Sequence, residues 1–287
     1  MAATFLFHAA LAAIIAFGFA LLARRQRLAM VSGMCAMVGL GPLLWAALNA
    51  ASNSRHDHEL VIMSFNLMYG QSSSEDVVSQ VKRERPDVIF FQEWTPSAAR
   101  ELGPRLSGDY PFKIEIVRED AFGQSVFSRR RFAAVPRPYP ASGGFREPQI
   151  TVEVEHEGRV LRATNVHLLP PVGLAYFAEQ RRGARALADW CADSSRADRP
   201  HVLMGDFNST RSSGVVGAIT SQGYREAHLV AGSGRGSTWP RTGFLRFVPG
   251  LRLDNAIVGP EVEVLRAEVG DDFGSDHRSI LVGVRWR

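Results

Sequence analysis

Cysteine and lysine are scarce in this chain of 287 residues, and charged residues are missing from two long stretches. Because Cys35 and Cys191 are the only cysteines, we predict no disulfide, and the paired Cys/His spacing of a zinc site is absent. Lys82 and Lys113 are the only lysines, so arginine carries nearly all of the positive charge behind the net charge of +4. A mildly basic surface can meet nucleic acid, anionic lipid or a phosphorylated small molecule, so charge does not select among these ligands.

The stretches without charged residues lie at the amino terminus. They run from Ala2 to Leu22 and from Leu28 to Ala51, and the basic segment Arg24–Arg27 separates them. Each stretch is at least as long as the roughly 20 residues that a helix needs to cross a bilayer. We therefore predict a two-helix transmembrane hairpin over residues 1–52, with helices at about 2–22 and 28–51, followed by a linker at residues 53–59.

The basic segment between the two spans predicts the orientation of the hairpin. Positive residues close to membrane spans are retained in the cytoplasm, so Arg24, Arg25 and Arg27 are expected there. The domain that follows would then be extracytoplasmic, anchored in a bacterial inner membrane through residues 2–51. A secretory signal is the alternative for Ala2–Leu22, but that stretch lacks the basic start typical of such signals.

The remaining residues, 60–287, are numerous enough for one domain with its own core. Short apolar runs alternate with amphipathic segments, which predicts an α/β (α+β) domain. Ser74 is the expected N-cap of a helix that runs to about Arg85, and further helices are expected from the Thr95-Pro96 pair onward and over Leu174–Ala192. Two strands joined at Glu157-Gly158 are expected to form a hairpin. This pattern of elements is also compatible with a doubly wound sheet.

Polar residues of catalytic types lie at the ends of several predicted strands. Asp206 and Asn208 follow an apolar run, and Asp276 and His277 precede another. Comparable positions at the other strands are occupied by Asn66, Glu93, His167 and Asp254. Loops at strand ends commonly mount catalytic groups on a rigid scaffold. Carboxylates, amides and imidazoles gathered at one end of a sheet suit metal-assisted attack of water on a phosphate ester.

The same residues belong to six short motifs that resemble the endonuclease/exonuclease/phosphatase superfamily, which has the deoxyribonuclease I-like fold. The motifs follow the family's order: Ser64-Phe65-Asn66, Pro86–Glu93, Thr164–Leu168, Gly205-Asp206-Phe207-Asn208, Leu253–Ile257 and Ser275-Asp276-His277. The resemblance covers about residues 60–287 and implies a two-sheet β-sandwich flanked by helices. Ser237-Thr238-Trp239 also resembles a loop of the family, on the side of the substrate.

Three of the polar residues are candidate metal ligands. Mg²⁺ prefers oxygen ligands, and Glu93 is the first choice because an apolar strand delivers it to the site, as the resemblance also implies. Asn66 is expected to assist the metal or its bound water, and Asp276 is expected to supply a second carboxylate. A surface glutamate and a turn-forming asparagine are the alternative interpretations of Glu93 and Asn66.

The other five residues are candidate catalytic groups. Asp206 is expected to orient or deprotonate the attacking water, and Asn208 to donate to the phosphate. His277 would hydrogen-bond the phosphate while Asp254 holds the other nitrogen of its ring, which fixes the tautomer. His167 would contact the phosphate or the leaving group. An Asx turn is the alternative for Asp206 and Asn208, and a structural histidine is the alternative for His167.

We therefore expect a metal-dependent phosphoesterase that hydrolyses a phosphodiester by activated-water attack with Mg²⁺ or Mn²⁺. Its substrate could be a nucleic acid, a phospholipid or a small phosphorylated molecule, and the residues leave this choice open. The expected partners are that substrate and the membrane, with no obligate protein partner. The alternative is a catalytically idle, membrane-tethered binding domain with the same fold.

Overall fold

A computed structural model describes residues 6–48, 56–139, 149–193, 199–247 and 250–286. Two helices open the chain, α1 over Leu6–Leu22 and α2 over Gln26–Leu48, and they pack against each other. Cys35 on α2 and Cys191 farther along the chain are both free thiols.

The predicted transmembrane hairpin is wrong, because no helix in the described part of the chain is long and apolar enough to cross a membrane. Helix α2 begins at Gln26 and Arg27 and contains Ser32 and several glycines, all of which lower its apolar character. The same finding overturns the membrane-anchored, extracytoplasmic location. Residues 1–5 and 49–55, including the predicted boundary near residue 52, lie outside the described residues.

The rest of the described chain forms a two-sheet sandwich with helices on its outer faces, as the sequence predicts. Its strands are β1 Leu60–Asn66, β2 Val88–Gln92, β3 Phe112–Ile116, β4 Gln124–Ser128, β5 Arg137–Tyr139, β6 Gln149–His156, β7 Arg159–His167, β8 His201–Asp206, β9 Arg225–Glu226, β10 Asp254–Val258, β11 Val262–Val269 and β12 Ile280–Trp286. Its helices are α3 Ser74–Glu84, α4 Pro96–Leu106, α5 Gly173–Ala192, α6 Gly214–Thr220 and α7 Ala227–Ala231, with a short 3₁₀ helix over Phe244–Phe247.

Each sheet has six strands, in the orders β11-β12-β1-β2-β4-β3 and β5-β6-β7-β8-β10-β9. A core of aliphatic and aromatic side chains lies between the two sheets, and it includes Ile62, Phe90 and Val202. Helices α3 and α4 cover the outer face of the first sheet, and α5 and α6 cover that of the second. Burial on both faces explains why β1, β2 and β8 are continuous apolar runs rather than alternating ones.

The register of the strands brings their polar ends together. Strands β1 and β2 are parallel with Asn66 opposite Gln92, which places Glu93 directly beyond that pair. Strands β7 and β8 are parallel with His167 opposite Asp206, and β10 runs antiparallel to β8 with Asp254 opposite the same residue. Several predicted site residues therefore lie at one end of the sandwich.

Side-chain hydroxyls cap the first turns of α3 and α4, and the N-cap of α3 lies one residue earlier than the sequence predicts. Thr95 caps α4 by accepting a hydrogen bond from the backbone N–H of Ala98, and Pro96 occupies the first turn as predicted. Helix α3 is capped by Ser73 rather than by Ser74, because the hydroxyl of Ser73 accepts from the N–H of Asp76. The hydroxyl of Ser74 is instead bonded to Glu101, at 2.7 Å.

Candidate active site

Asp206 lies at the centre of a cluster that contains all eight residues selected from the sequence. Its side chain is 1% exposed at the carboxyl end of β8. One carboxylate oxygen, Oδ1, accepts the backbone N–H of Asn208 at 2.7 Å. The other, Oδ2, accepts from the amide of Asn66 at 3.0 Å and from that of Asn208 at 3.3 Å. Two amides and one backbone group thus fix the orientation of this carboxylate.

The backbone around Asp206 has two positions in the left-handed region. Gly205 has a φ of 143°, and a Cβ there would lie 2.1 Å from the carbonyl oxygen of Val166. Only glycine fits between β7 and β8 at this point. Asn208 has a φ of 47°, which asparagine tolerates better than most residues. Backbone sterics therefore explain why the Gly-Asp-Phe-Asn motif has glycine at its first position and asparagine at its last.

Asp254 and His277 form a buried pair beside Asp206. The Nδ1 atom of His277 lies 2.8 Å from Oδ2 of Asp254, and its Nε2 lies 3.8 Å from Oδ2 of Asp206. Burial disfavours the charged imidazolium, but the carboxylates of Asp254 and Asp206 outweigh it and raise the pKa of His277 to about 10. His277 is therefore a cation at neutral pH.

His167 faces the same carboxylate, but its ring differs from that of His277 in charge. Its Nε2 lies 3.8 Å from Oδ2 of Asp206 and 4.0 Å from Oε1 of Glu93. The ring packs against Phe122, with 5.6 Å between centroids. Burial lowers the pKa of His167, which makes this ring neutral at pH 7. One neutral and one charged imidazole thus flank Asp206.

Asp206 itself is a carboxylate with increased basicity. Burial raises its pKa, although the nearby charge of His277 opposes that effect. In this arrangement Asp206 can act as the base, and His277 can act as a cationic hydrogen-bond donor.

Glu93 begins the other wall of the site, directly after β2. Its φ of 60° is unusual for a residue with a long side chain, and backbone strain of this kind is often found at functional sites. Its Oε2 accepts the backbone N–H of Tyr69 at 2.6 Å. Burial raises the pKa of Glu93, with the negative charge of Asp276 adding to the effect. The carboxylates of Glu93 and Asp276 form an oxygen-rich environment, which fits a hard divalent cation.

Asn66 does not present its oxygen to that environment. Its Oδ1 accepts the backbone N–H of Met68 at 3.0 Å, and its NH₂ group donates to Asp206. These contacts orient Asp206, and the same side chain is also within hydrogen-bonding reach of Glu93. The role of Asn66 beside the metal stays a prediction.

In the described chain, Asp206, Asp254 and His277 form a group of potential metal ligands whose ligating atoms lie within 4.8 Å of one another. In this set Nδ1 of His277 is already bonded to Asp254. Because a protonated imidazole has no free lone pair for a metal, this set is better described as the hydrogen-bonded Asp254–His277 pair with Asp206 beside it. Glu93 and Asp276 are the better candidate ligands.

Thr238 and Trp239 hold the Asp254–His277 pair and Asp276 in place. The Thr238 hydroxyl accepts the backbone N–H groups of Leu253 and Asp254, at 3.1 Å and 3.2 Å. The Thr238 carbonyl accepts the N–H of Arg278, the residue after His277. The indole of Trp239 donates to Oδ2 of Asp276 at 3.1 Å. The sequence marked this segment only by its resemblance to a substrate-side loop, and its contacts with these residues follow from the fold.

A polar layer between the sheets supports the floor of the site. The amide of Gln92 donates to Asn165 at 2.6 Å and to Ser64 at 2.9 Å. The amide of Gln149 donates to the carbonyl of His167 at 3.0 Å. Satisfied buried networks of this type fix the positions of their members.

The site opens into a cavity of about 870 Å³. Glu93, Asp206 and Asp276 line one end of it, and residues of α5 and α6 line much of the remainder. Clefts of this size hold a complete small ligand.

Three solved structures show where this fold occurs. D. rerio TDP2 in complex with a single-strand DNA product is 18% identical, with a TM-score of 0.65 over 80% of this chain and 100% of that one. An endonuclease/exonuclease/phosphatase from Bacteroides vulgatus is 19% identical, with a TM-score of 0.65 over 80% and 99%. A mannosyl-6-phosphatase from Bacteroides thetaiotaomicron is 16% identical, with a TM-score of 0.61 over 79% and 100%. At these identities the likeness shows the fold alone.

No curated protein matches the chain. The Endonuclease/Exonuclease/phosphatase family matches residues 63–277, which include all eight residues of the site and most of the chain. The chain therefore belongs to the endonuclease/exonuclease/phosphatase family, whose members are hydrolases that act on phosphate esters.

Proposed function

We propose that this chain hydrolyses a phosphodiester in a reaction that depends on Mg²⁺ or Mn²⁺. The observation that carries the proposal is the placement of Asp206, a buried carboxylate with a raised pKa that lies 3.8 Å from the Nε2 atoms of both His167 and His277. A general base needs a pKa nearer to the working pH than an exposed aspartate has.

Glu93 and Asp276 would hold the divalent cation, and Asn66 would orient Asp206 beside it. When bound, the cation supplies positive charge that polarises the phosphate and lowers the pKa of a coordinated water. Oxygen donors alone form this set, which is the chemistry that Mg²⁺ and Mn²⁺ favour over softer metals.

Asp206 accepts a proton from the attacking water. The water oxygen forms a new bond to phosphorus, and the bond from phosphorus to the leaving oxygen breaks with its electron pair. The leaving oxygen then takes a proton from solvent. The amides of Asn66 and Asn208 hold the carboxylate in one orientation, so little reorganisation is needed when the water reacts.

His277 donates from Nε2 to a phosphate oxygen while Asp254 holds Nδ1. The imidazolium places a full positive charge where negative charge develops, and such preorganised donors are commonly the largest contribution to catalysis. His167 is neutral and offers one ring nitrogen to the phosphate or the leaving group. Asn208 can add an amide donor at the same position.

The similar solved structures include a complex with a single-strand DNA product and a mannosyl-6-phosphatase, so the family relationship leaves the substrate open. The turnover test also distinguishes the enzyme from the alternative, a catalytically idle binding domain.

The test is turnover of bis(p-nitrophenyl) phosphate by the full chain with Mg²⁺, with Mn²⁺ and with excess chelator. We expect turnover with either ion and none with chelator. Glu93→Gln should raise the metal concentration required for half-maximal turnover by at least about tenfold, a typical loss at a perturbed metal site. Glu75→Gln, at an exposed glutamate on α3, is the matched control. Full turnover in chelator would refute the proposal, and no turnover with any ion would favour the idle domain.

A further inference from the structure

The cavity extends well beyond the candidate active site, into a groove between α5 and α6. We define the α5–α6 groove by the residues that line this part of the cavity: Phe177, Arg181, Ala184, Arg185, Val215 and Ala218. From Phe177 to Arg185 the helix advances eight residues, or about 12 Å at 1.5 Å per residue. A phosphate group bound at Asp206 would leave this length of groove for the remainder of the substrate.

The groove differs in charge from the active site. The acidic residues on the described lining of the cavity are Glu93, Asp206 and Asp276, all at the catalytic end. The groove itself is lined by aliphatic and aromatic carbons, with Arg181 and Arg185 on one wall. Neither arginine has an ion-pair partner among the residues that the structure describes, and the Arg181 guanidinium lies 5.8 Å from the ring centroid of Phe177.

Apolar residues continue from the groove to the rim of the cavity. Val172 lines the cavity and is 72% exposed, and Leu174 in the first turn of α5 is 89% exposed. Large exposed apolar side chains beside a ligand cavity mark a surface that a ligand covers. Pro170 and Pro171 line the cavity just before them and continue the apolar wall.

We propose that the substrate is an amphiphilic phosphodiester whose phosphate binds at Asp206 and whose alkyl chain lies in the α5–α6 groove. This inference rests on the proposed function and specifies the substrate class. An apolar wall gains free energy by covering hydrocarbon. A nucleic acid is the competing occupant, but it requires a basic path with several phosphate contacts, and the described groove offers two arginines.

The test uses p-nitrophenyl alkyl phosphates with methyl, butyl and octyl chains, at concentrations below aggregation and with saturating Mn²⁺. All three share the bond that breaks, between phosphorus and the p-nitrophenolate oxygen, and the alkyl group stays on the phosphate. Each methylene that the groove buries contributes up to about fourfold to kcat/KM. We therefore expect kcat/KM for the octyl ester to exceed that for the methyl ester by at least about tenfold.

Two groove variants and one control locate the effect. Phe177→Ser removes an apolar wall, and Ala218→Phe fills the groove from α6, so each should reduce the octyl-to-methyl ratio toward one. Val135→Ser changes a residue that is 79% exposed and does not line the cavity, so it should keep the ratio. Circular dichroism shows whether each variant is folded. If Phe177→Ser is unfolded, the octyl-to-methyl ratio of Ala218→Phe provides the test.

A wild-type ratio near one would overturn the inference, as would an unchanged ratio in a folded groove variant. A single-stranded oligonucleotide provides the competing arm, and a higher kcat/KM for it than for the octyl ester would assign the groove to nucleic acid. If the methyl ester is not hydrolysed with any metal, the proposed function fails. If it is hydrolysed without dependence on chain length, only the assignment of the groove fails.

Discussion

Replacing Thr238 with valine should destabilise the domain far more than its size suggests. The side chain is fully buried, and its hydroxyl accepts the backbone N–H groups of Leu253 and Asp254. Valine has a similar shape but no acceptor. Each buried N–H left without a partner costs about 1–3 kcal/mol, so the loss of both acceptor contacts should cost about 2–6 kcal/mol. This is a large part of the roughly 5–15 kcal/mol that is typical of a domain.

The assay is urea unfolding followed by circular dichroism. Thr238→Ser keeps the acceptor and loses one methyl group, so it should cost only about 1 kcal/mol. Thr220→Val, which removes an exposed hydroxyl at the end of α6, should stay within about 0.5 kcal/mol of wild type. The midpoint should move while the slope with urea stays constant.

The same substitution should reduce kcat under conditions where the variant is folded. Thr238 contacts the backbone of Asp254 and of Arg278, so it holds both members of the Asp254–His277 pair in register. We expect Thr238→Ser to retain most of the activity and Thr238→Val to lose more of it than unfolding explains. If valine and serine proved equally stable and equally active, the hydroxyl would not have the role assigned to it.

Three further predictions concern stability. Glu59→Ala should cost about 1.5–3 kcal/mol in urea unfolding, because it removes the buried carboxylate that lies 2.8 Å from Nε of Arg266 and leaves that guanidinium with Glu268 as its remaining partner; a cost under about 0.5 kcal/mol would contradict this. Gly205→Ala should prevent normal folding, because its Cβ would collide with the carbonyl of Val166, and a native melting curve would refute the steric argument. The pKa of His277 is raised from 6.5 to about 10, so its contribution to stability should be complete below about pH 6.5 and lost as pH rises through 10. In chelator, the difference in unfolding free energy between wild type and His277→Gln should therefore shrink across this range, and a constant difference would contradict the assignment.

Most of the fold was accessible from the sequence because the central strands are continuous apolar runs with clear ends. Strand β2 has the bounds expected from Val88–Gln92, and α4 begins at Thr95-Pro96 as its capping residues indicate. The candidate site was accessible for the same reason, since residues at strand ends are brought together by register. The two-sheet arrangement followed from the family resemblance, because the element pattern was compatible with other sheets.

Other features depend on contacts that no local pattern records. Thr238 acts on Asp254, which lies sixteen positions later, through a hydroxyl in a segment without periodicity. The pKa of His277 depends on carboxylates that come from three separate parts of the chain. The transmembrane prediction failed because a count of uncharged residues does not weigh polar and glycine positions such as Gln26, Ser32 and Gly33, which lower the apolar character of α2.

The measurement that tests the central claim most directly is kcat of Asp206→Asn on bis(p-nitrophenyl) phosphate with saturating Mn²⁺. The substitution keeps the shape of the side chain and removes the base, so kcat should fall by at least about a hundredfold. Unfolding in urea should show that the variant is folded, and Asp189→Asn on the exposed face of α5 should stay within about twofold of wild type. Near-native kcat in folded Asp206→Asn would contradict the account.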